Sequence, residues 1–323
     1  MAEGDREAPP AATASPLVES VPNFSEGRRR EVIDAILAAV RSSGPVTCLD
    51  FSSDPDHNRS VLTLAGHPGA IRSALLALVE ACVERLDLRA HQGGHPRMGA
   101  VDVIPLVPIR GVTMEDCVRL ARDLGAAIAA RHGLPVYLYE KAASAPHRRN
   151  LAEIRKGEFE GFPDKIRDPL WKPDFGPGRV HPTAGCVAVG AREFLIAYNI
   201  NLASGDLDLA RAIARAIRES SGGLPCVKAM GVLLEDRNIA QVSINMTDFR
   251  TTSLHTVFDR VREEAARRGV AVASSEIVGL VPAEALLDTA RHHLMLQDFS
   301  FSKVLERRLE EAGAGDACAG RRE

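Results

Sequence analysis

The chain has 323 residues, 45% hydrophobic and 26% charged, with a formal net charge of −3 at neutral pH. That length suits two domains, or one large domain with a well-buried core, and the composition is that of a soluble globular protein. No lysine- or arginine-rich stripe argues for a nucleic-acid partner, and no apolar run of about 18 residues could span a membrane. The six cysteines (48, 82, 117, 186, 226 and 318) form no C-x-x-C pair, and most lie in apolar stretches. They read as reduced thiols of a reducing compartment, so a cytoplasmic protein is expected.

In chain order, residues 1–16 are rich in Ala, Pro and acidic residues and read as a disordered tail without a signal-peptide core. Leu17–Val21 alternates as a strand, and Pro22-Asn23 turns out of it. Ser25 is the expected N-cap of a helix whose apolar face is Val32, Ile33, Ile36, Leu37 and Val40. Val46–Phe51 predicts a strand ending in the polar loop Ser52–Arg59. Ser60–Ala65 predicts its return, and Gly66–Pro68 leads into a helix through about Leu86. A glycine-rich loop, His91–Ala100, precedes the buried strand Val101–Pro108. This β-α-β-β-α-β order is the split βαβ plan. Helix Met114–His132 and strand Pro135–Tyr139 extend it.

The middle, Glu140–Gly185, reads as irregular, with many prolines and glycines and the only tryptophan, Trp171. From Cys186 the order repeats: strand Phe194–Asn201, helix Asp206–Ser220, strands Val227–Leu234 and Ile239–Asn245, helix Ser253–Arg268, strand Val270–Ile277. Helices Ala283–Met295 and Phe301–Glu311 follow, and residues 313–323 read as a second disordered tail. The expected fold is α+β: two ferredoxin-like (βαββαβ) subdomains, 17–185 and 186–312, side by side with a ligand cleft between them.

The segment His91-Gln-Gly-Gly-His-Pro-Arg-Met-Gly-Ala100 carries the chemistry. Gly93 and Gly94 disfavour a helix, and Pro96 pushes His95 toward an extended backbone. A histidine is thereby held at the rim of a sheet, where glycine allows a ligand to approach closely. Its ordinary pKa lies near neutrality, so it can take a proton and return it. His91 and His95 would share a face for metal binding only in a helix, and no Cys or carboxylate stands at ligand spacing beside them. No metal is expected.

Four segments resemble one family. They are Leu17-Val-Glu-Ser-Val-Pro-Asn-Phe-Ser-Glu-Gly27, the His91–Ala100 loop, Asp174-Phe-Gly-Pro-Gly-Arg-Val-His-Pro-Thr-Ala-Gly185, and Phe194-Leu-Ile-Ala-Tyr-Asn-Ile-Asn-Leu202. In this order they are similar to the formiminotransferase family over about Leu17 to Met295. The resemblance implies movement of a formimino group between N-formimino-L-glutamate and N5 of tetrahydrofolate in histidine breakdown. It implies tetrahydrofolate as co-substrate, a homodimer, and His95, the second histidine of its loop, as the catalytic residue. It places the folate-contacting segment on Gly176, Pro177, Gly178, Arg179, Val180, His181, Pro182, Thr183, Ala184 and Gly185. No stretch long enough for a cyclodeaminase half follows, so one activity is expected.

The substrate carboxylates call for cationic partners, and Arg97 and Arg59 are the first candidates, with Arg179 and Lys228 behind them. Asp54 or Asp56 could orient an imidazole or hold the amidinium. Asn199 and Asn201 alternate on a strand and share a face, where they could meet a ligand or cap a neighbouring loop. Two other functions stay open: formyl transfer from 5-formyltetrahydrofolate, and a folate-binding module without catalysis.

Overall fold

The computed structural model describes residues 15–313, with side chains to 309. Residues 1–14 and 314–323, most of both expected tails, lie outside the described residues, as does Cys318. The chain divides into two units, Ser15–Glu193 and the residues from Phe194 on.

The first unit opens with β1 (Leu17–Ser20) and β2 (Asn23–Phe24), two pieces of one strand lying between the same neighbours. Pro22 has no N–H for the ladder, so the expected turn is an interruption, after which pairing resumes. Ser25 does not cap the next helix. Its hydroxyl donates to the Gly99 carbonyl at 2.8 Å. The Glu26 carboxylate instead accepts from the Arg28 and Arg29 amides, each at 2.9 Å, just before α1 (Arg30–Ser42). Then come β3 (Thr47–Asp54), β4 (Arg59–Gly66), α2 (Pro68–Arg85), β5 (Val101–Arg110) and α3 (Met114–His132). The capping box of Thr113 with Asp116 starts α3, and Gly133 in the left-handed region ends it, which is why its bounds match the sequence reading.

Two further strands, β6 (Val136–Glu140) and β7 (Val187–Ala191), complete the sheet. Its order is β3, β4, β1/β2, β5, β7, β6, antiparallel as far as β5 and parallel beyond. Helices α1, α2 and α3 supply Ile33, Ile36, Leu75, Leu78 and Leu124 to one face, where Phe24, Leu62, Leu64, Ile104 and Leu106 meet them fully or almost fully buried. Each such side chain contributes about 1.5–3 kcal/mol by leaving water.

From the sequence no strand is expected at 187–191, and the second subdomain is expected to begin at 186. β7 inserts between β5 and β6, so its strand belongs to the first unit, which runs to Glu193. The middle segment also holds two helices not foreseen, α4 (Leu151–Arg155) and α5 (Glu158–Lys165). They cover the other sheet face through Ile154, Phe162 and Ile166, packed with Val103, Tyr137 and Tyr139. Lys165 Nζ joins them, donating to the carbonyls of Glu153, Ile154 and Lys156 while lying 4.0 Å above the Trp171 ring. A buried ion pair, Arg148 with Asp174 at 2.9 Å, anchors the rest of the segment to β6 through the Leu138 amide.

The second unit follows the expected order: β8 (Ile196–Leu202), α6 (Leu207–Ile217), β9 (Val227–Leu234), β10 (Ile239–Met246), α7 (Leu254–Ala266) and β11 (Val272–Val278). The sheet order β11-β8-β10-β9, antiparallel throughout, is what two split βαβ units produce. Asp206 and Ser253 cap α6 and α7. Ile213, Ile217, Val257 and Val261 pack these helices on Ile196, Ile200 and Ile244. Helices α8 (Ala283–His293) and α9 (Leu305–Gly313) follow. No helix among the described residues is long and apolar enough to cross a membrane.

The joint that matters most for the site lies between residues 98–100 and 184–186. The Ala100 amide donates to the Ala184 carbonyl and the Cys186 amide to the Met98 carbonyl, both at 2.9 Å. Gly185 sits there at φ +68°, and a Cβ on it would lie 2.1 Å from the Met98 oxygen. We expect Gly185→Ala to lose more than about 2 kcal/mol of stability, from the left-handed backbone and the clash together. Urea unfolding checks this, and a loss below about 0.5 kcal/mol would show that the joint relaxes freely.

Candidate active site

Three central strands and a loop bring the chemistry to one end of the first sheet. Asn23 lies on β2, Arg59 opens β4, Asp102 lies on β5, and His95 stands in the loop that enters β5. Arg155, the last residue of α4, reaches in from the covering segment.

His95 is half-buried and hydrogen-bonded through both ring nitrogens. Nδ1 lies 2.7 Å from the Pro96 carbonyl, which can only accept, so Nδ1 carries the hydrogen. Nε2 faces Arg59 Nη1, which can only donate, so Nε2 presents its lone pair. The ring is therefore held neutral in one tautomer. Burial, then the charges of Arg59 and Arg155, pull its pKa down to about 4 from 6.5, against a weaker opposing pull from Asp102.

Arg59 is fixed on its other side by Asn23 Oδ1. Burial lowers its pKa only to about 10, so it stays charged at neutral pH. Arg155 Nη2 donates to Asp102 Oδ2 at 2.5 Å, and Asp102 Oδ1 accepts from the Met98 amide at 2.9 Å. The site thus holds two guanidinium groups against one buried carboxylate. The Nε–H of Arg59 and that of Arg155 are buried without a hydrogen-bond partner among the described residues. Buried donors normally find acceptors, and leaving one unmet costs about 1–3 kcal/mol. Such an arrangement suits an anion.

The sequence-derived candidates divide. His95 and Arg59 meet. Arg97 is nearby but already paired: it makes a two-pronged contact to Glu160 at 2.8 and 2.6 Å and a third to Glu158 at 3.2 Å. Its Nε also donates to His91 Nδ1 at 3.1 Å, while His91 Nε2 donates to the Asn58 carbonyl at 2.8 Å. This chain ties the loop down beside Arg59 and lines an open cavity of about 540 Å³ with His91, Gln92, Gly157 and Glu158. Asp54 orients an imidazole, but of His57 (2.7 Å), whose ring stands edge-on to His95 at 6.1 Å. Gly93 serves a different approach from the one expected: a Cβ there would lie 2.2 Å from the His57 carbonyl, so it lets the two loops close together.

Of the connector, Gly176, Gly178 and Arg179 are exposed, and Pro177, Val180, His181 and Thr183 half-exposed. His181 Nδ1 accepts from the Ala184 amide at 3.0 Å, making a tight turn with exposed Pro182 at its tip. Ala184 and Gly185 are buried, with backbone groups committed to the joint. In the second unit Asn199 donates to Glu276, Asn201 donates to Ser274, and Gln241 bridges Asn201 and Glu276, at 2.9–3.1 Å. Those amides satisfy one another across the sheet, and Lys228 lies on β9.

Arg155 and His57 were not singled out in the sequence. Arg155 lies in the segment read as irregular, where nothing marks an arginine as inward. His57 sits inside a loop already flagged for its aspartates, and that density was its only signal.

Comparison with known proteins points one way. Residues 17–192 match the model of the formiminotransferase domain, N-terminal subdomain, and residues 197–309 that of the formiminotransferase domain. The chain is 48% identical to the glutamate formimidoyltransferase of Streptococcus pyogenes serotype M1, over 91% of this chain and 98% of that one. It is 47% identical to the protein of that name from Thermoplasma acidophilum, over 92% and 98%. It is 44% identical to the formimidoyltransferase-cyclodeaminase of Sus scrofa over 91% of this chain and 57% of that longer protein.

The pH behaviour of His95 is a direct test of the geometry. Its folded pKa lies below the unfolded value, so between pH 6.5 and about 4 the unfolded chain binds the proton first. Stability held above pH 6.5 is then lost as the pH falls through that window. We expect His95→Gln to flatten this slope in denaturant titrations, and Arg59→Ala to raise the His95 midpoint, read by NMR, toward 6.5. Equal slopes for the parent and His95→Gln would remove the buried neutral imidazole.

Proposed function

The chain belongs to the formiminotransferase family, and from that membership we propose that it moves the formimino group between N-formimino-L-glutamate and N5 of tetrahydrofolate in histidine degradation. One observation carries the assignment to this site: a neutral imidazole, single in tautomer, flanked by two guanidinium groups with unmet buried donors. Tetrahydrofolate, as co-substrate, supplies the N5 amine that attacks the amidine carbon. His95 Nε2 takes the proton from that amine as the new C–N bond forms. It returns the proton to the glutamate nitrogen as the old bond breaks, so the imidazole ends as it began. The same shuttle serves the reverse direction.

Arg59 links binding to this chemistry. In the free site it occupies the Nε2 lone pair. A substrate carboxylate is a stronger acceptor than a neutral imidazole. Binding therefore draws the guanidinium away, frees Nε2, and neutralises the charge that most depresses its pKa after burial. The pKa then rises from about 4 toward the range where a general base works at neutral pH. Arg155, held by Asp102, is the second cation for the dicarboxylate. The exposed part of the connector, Gly176–Thr183, is our candidate for the folate, with Arg179 for its carboxylate. Arg97, paired to Glu160 and Glu158, positions the loop and does not bind substrate.

The units Ser15–Glu193 and Phe194 onward correspond in this reading to the family's two subdomains. A cytoplasmic setting is part of it, supported by the free, buried thiols of Cys82, Cys117 and Cys186. A homodimer is included on the strength of the family resemblance.

The test is turnover of formiminoglutamate with tetrahydrofolate, run beside 5-formyltetrahydrofolate with glutamate. Formimino transfer should dominate. Formyl transfer with formimino transfer at background would reassign the reaction. His95→Ala should lower kcat about a hundredfold or more with little change in folate affinity, and near-normal turnover would sink its role. Arg97→Ala should lower kcat roughly tenfold with KM for formiminoglutamate nearly unchanged, as for a positioning group. The opposite split would return Arg97 to the substrate carboxylate.

A further inference from the structure

Helices α7 and α8 of the second unit gather three imidazoles and two carboxylates that the transfer reaction does not use. Asp259 on α7, and His292 and His293 in the last turn of α8, place one ligand atom each within 4.8 Å of the others. His292 Nε2 lies 3.7 Å from Asp259 Oδ2. Arg262 Nη2 lies 2.8 Å from the other carboxylate oxygen, Oδ1, as an ion pair without hydrogen-bond geometry. His255 stacks flat against His292, ring centroids 4.0 Å apart and planes within 10°, which fixes that ring's orientation. His255 in turn lies 3.5 Å from Asp288.

The setting favours a cation. The cluster closes the C-terminal end of α8, where the helix dipole is negative. An open cavity of about 360 Å³ adjoins it, lined by His255, Arg291, His292, Met295, Leu296 and Gln297. Two imidazoles and a carboxylate suit Zn²⁺ and its neighbours better than Ca²⁺ or Mg²⁺. Tetrahedral bonds of about 2.0–2.1 Å put donor atoms about 3.3 Å apart. The His292–Asp259 gap is only a few tenths of an ångström wider.

We propose that Asp259, His292 and His293 bind a divalent transition metal of the Zn²⁺ class, with water in the fourth position, joining α8 to α7. The expectation of no metal considered only His91 and His95. Asp259 and His292 are separated in sequence by a strand and most of a helix, so no spacing motif announces them.

The purified chain is titrated with Zn²⁺ by calorimetry and with Co²⁺ by visible absorbance, beside Asp259→Asn, His292→Gln and His293→Gln. The expected result is one saturable site per chain, a four-coordinate Co²⁺ spectrum and a melting temperature that rises with Zn²⁺. Each variant should bind at least about tenfold more weakly, since losing even an outer partner costs about 10–100-fold. Absence of one-site binding by the parent overturns the proposal, as do His292→Gln and His293→Gln binding as tightly as the parent. If Asp259→Asn or His292→Gln melts early without metal, the exposed His293→Gln decides alone.

Discussion

The first unit is organised around one guanidinium. Arg59 bridges Asn23 Oδ1 and His95 Nε2, and through them it joins β2, β4 and the loop that carries His95. A half-buried cation against a neutral ring is a poor arrangement for stability alone, since desolvation of such a charge is costly and imidazole repays little of it. Asp102 offsets part of that cost through space. The arrangement makes sense as a site held ready for an anion: what is unfavourable in the free protein is what a carboxylate would relieve. The backbone joint at Gly185 and the Glu160–Arg97–His91–Asn58 chain tie down the loop that carries His95 on either side of it.

Much of the fold was legible because its elements are long and periodic. The apolar faces of α1 and α3, the alternation in β4, and the whole β-α-β-β-α-β run of the second unit follow from spacing and caps. The failures share a cause. β2 has two residues, β7 is a short run of small ones, and α4 and α5 are separated by Gly157 with Pro163 inside the second. None carries enough local signal, and each is formed by what packs on it: β7 by strands on both sides, α5 by Phe162 on Tyr137, α4 by the Lys165 ammonium over its carbonyls.

The site divides in the same way. His95 stood out because glycine and proline made its loop legible, and Arg59 only as a cation for the carboxylates that the family resemblance implies. The job of Arg97 was not legible, since its partners Glu158 and Glu160 come from a helix that the sequence did not announce. For that same reason Arg155 went unseen. Charge type is readable from sequence, whereas which charge already has a partner is decided by the fold.

The insertion of β7 between β5 and β6 bears on how the protein is made. β6 leaves the ribosome before its strand partner among the described residues, which lies some fifty residues further on, several seconds away at typical synthesis rates. Through that interval the nascent chain carries an unclosed parallel edge, and the loop bearing His95 lacks the 184–186 stretch that clamps it. Chaperone attention, or a pause in translation, would therefore matter most just before residue 191 emerges.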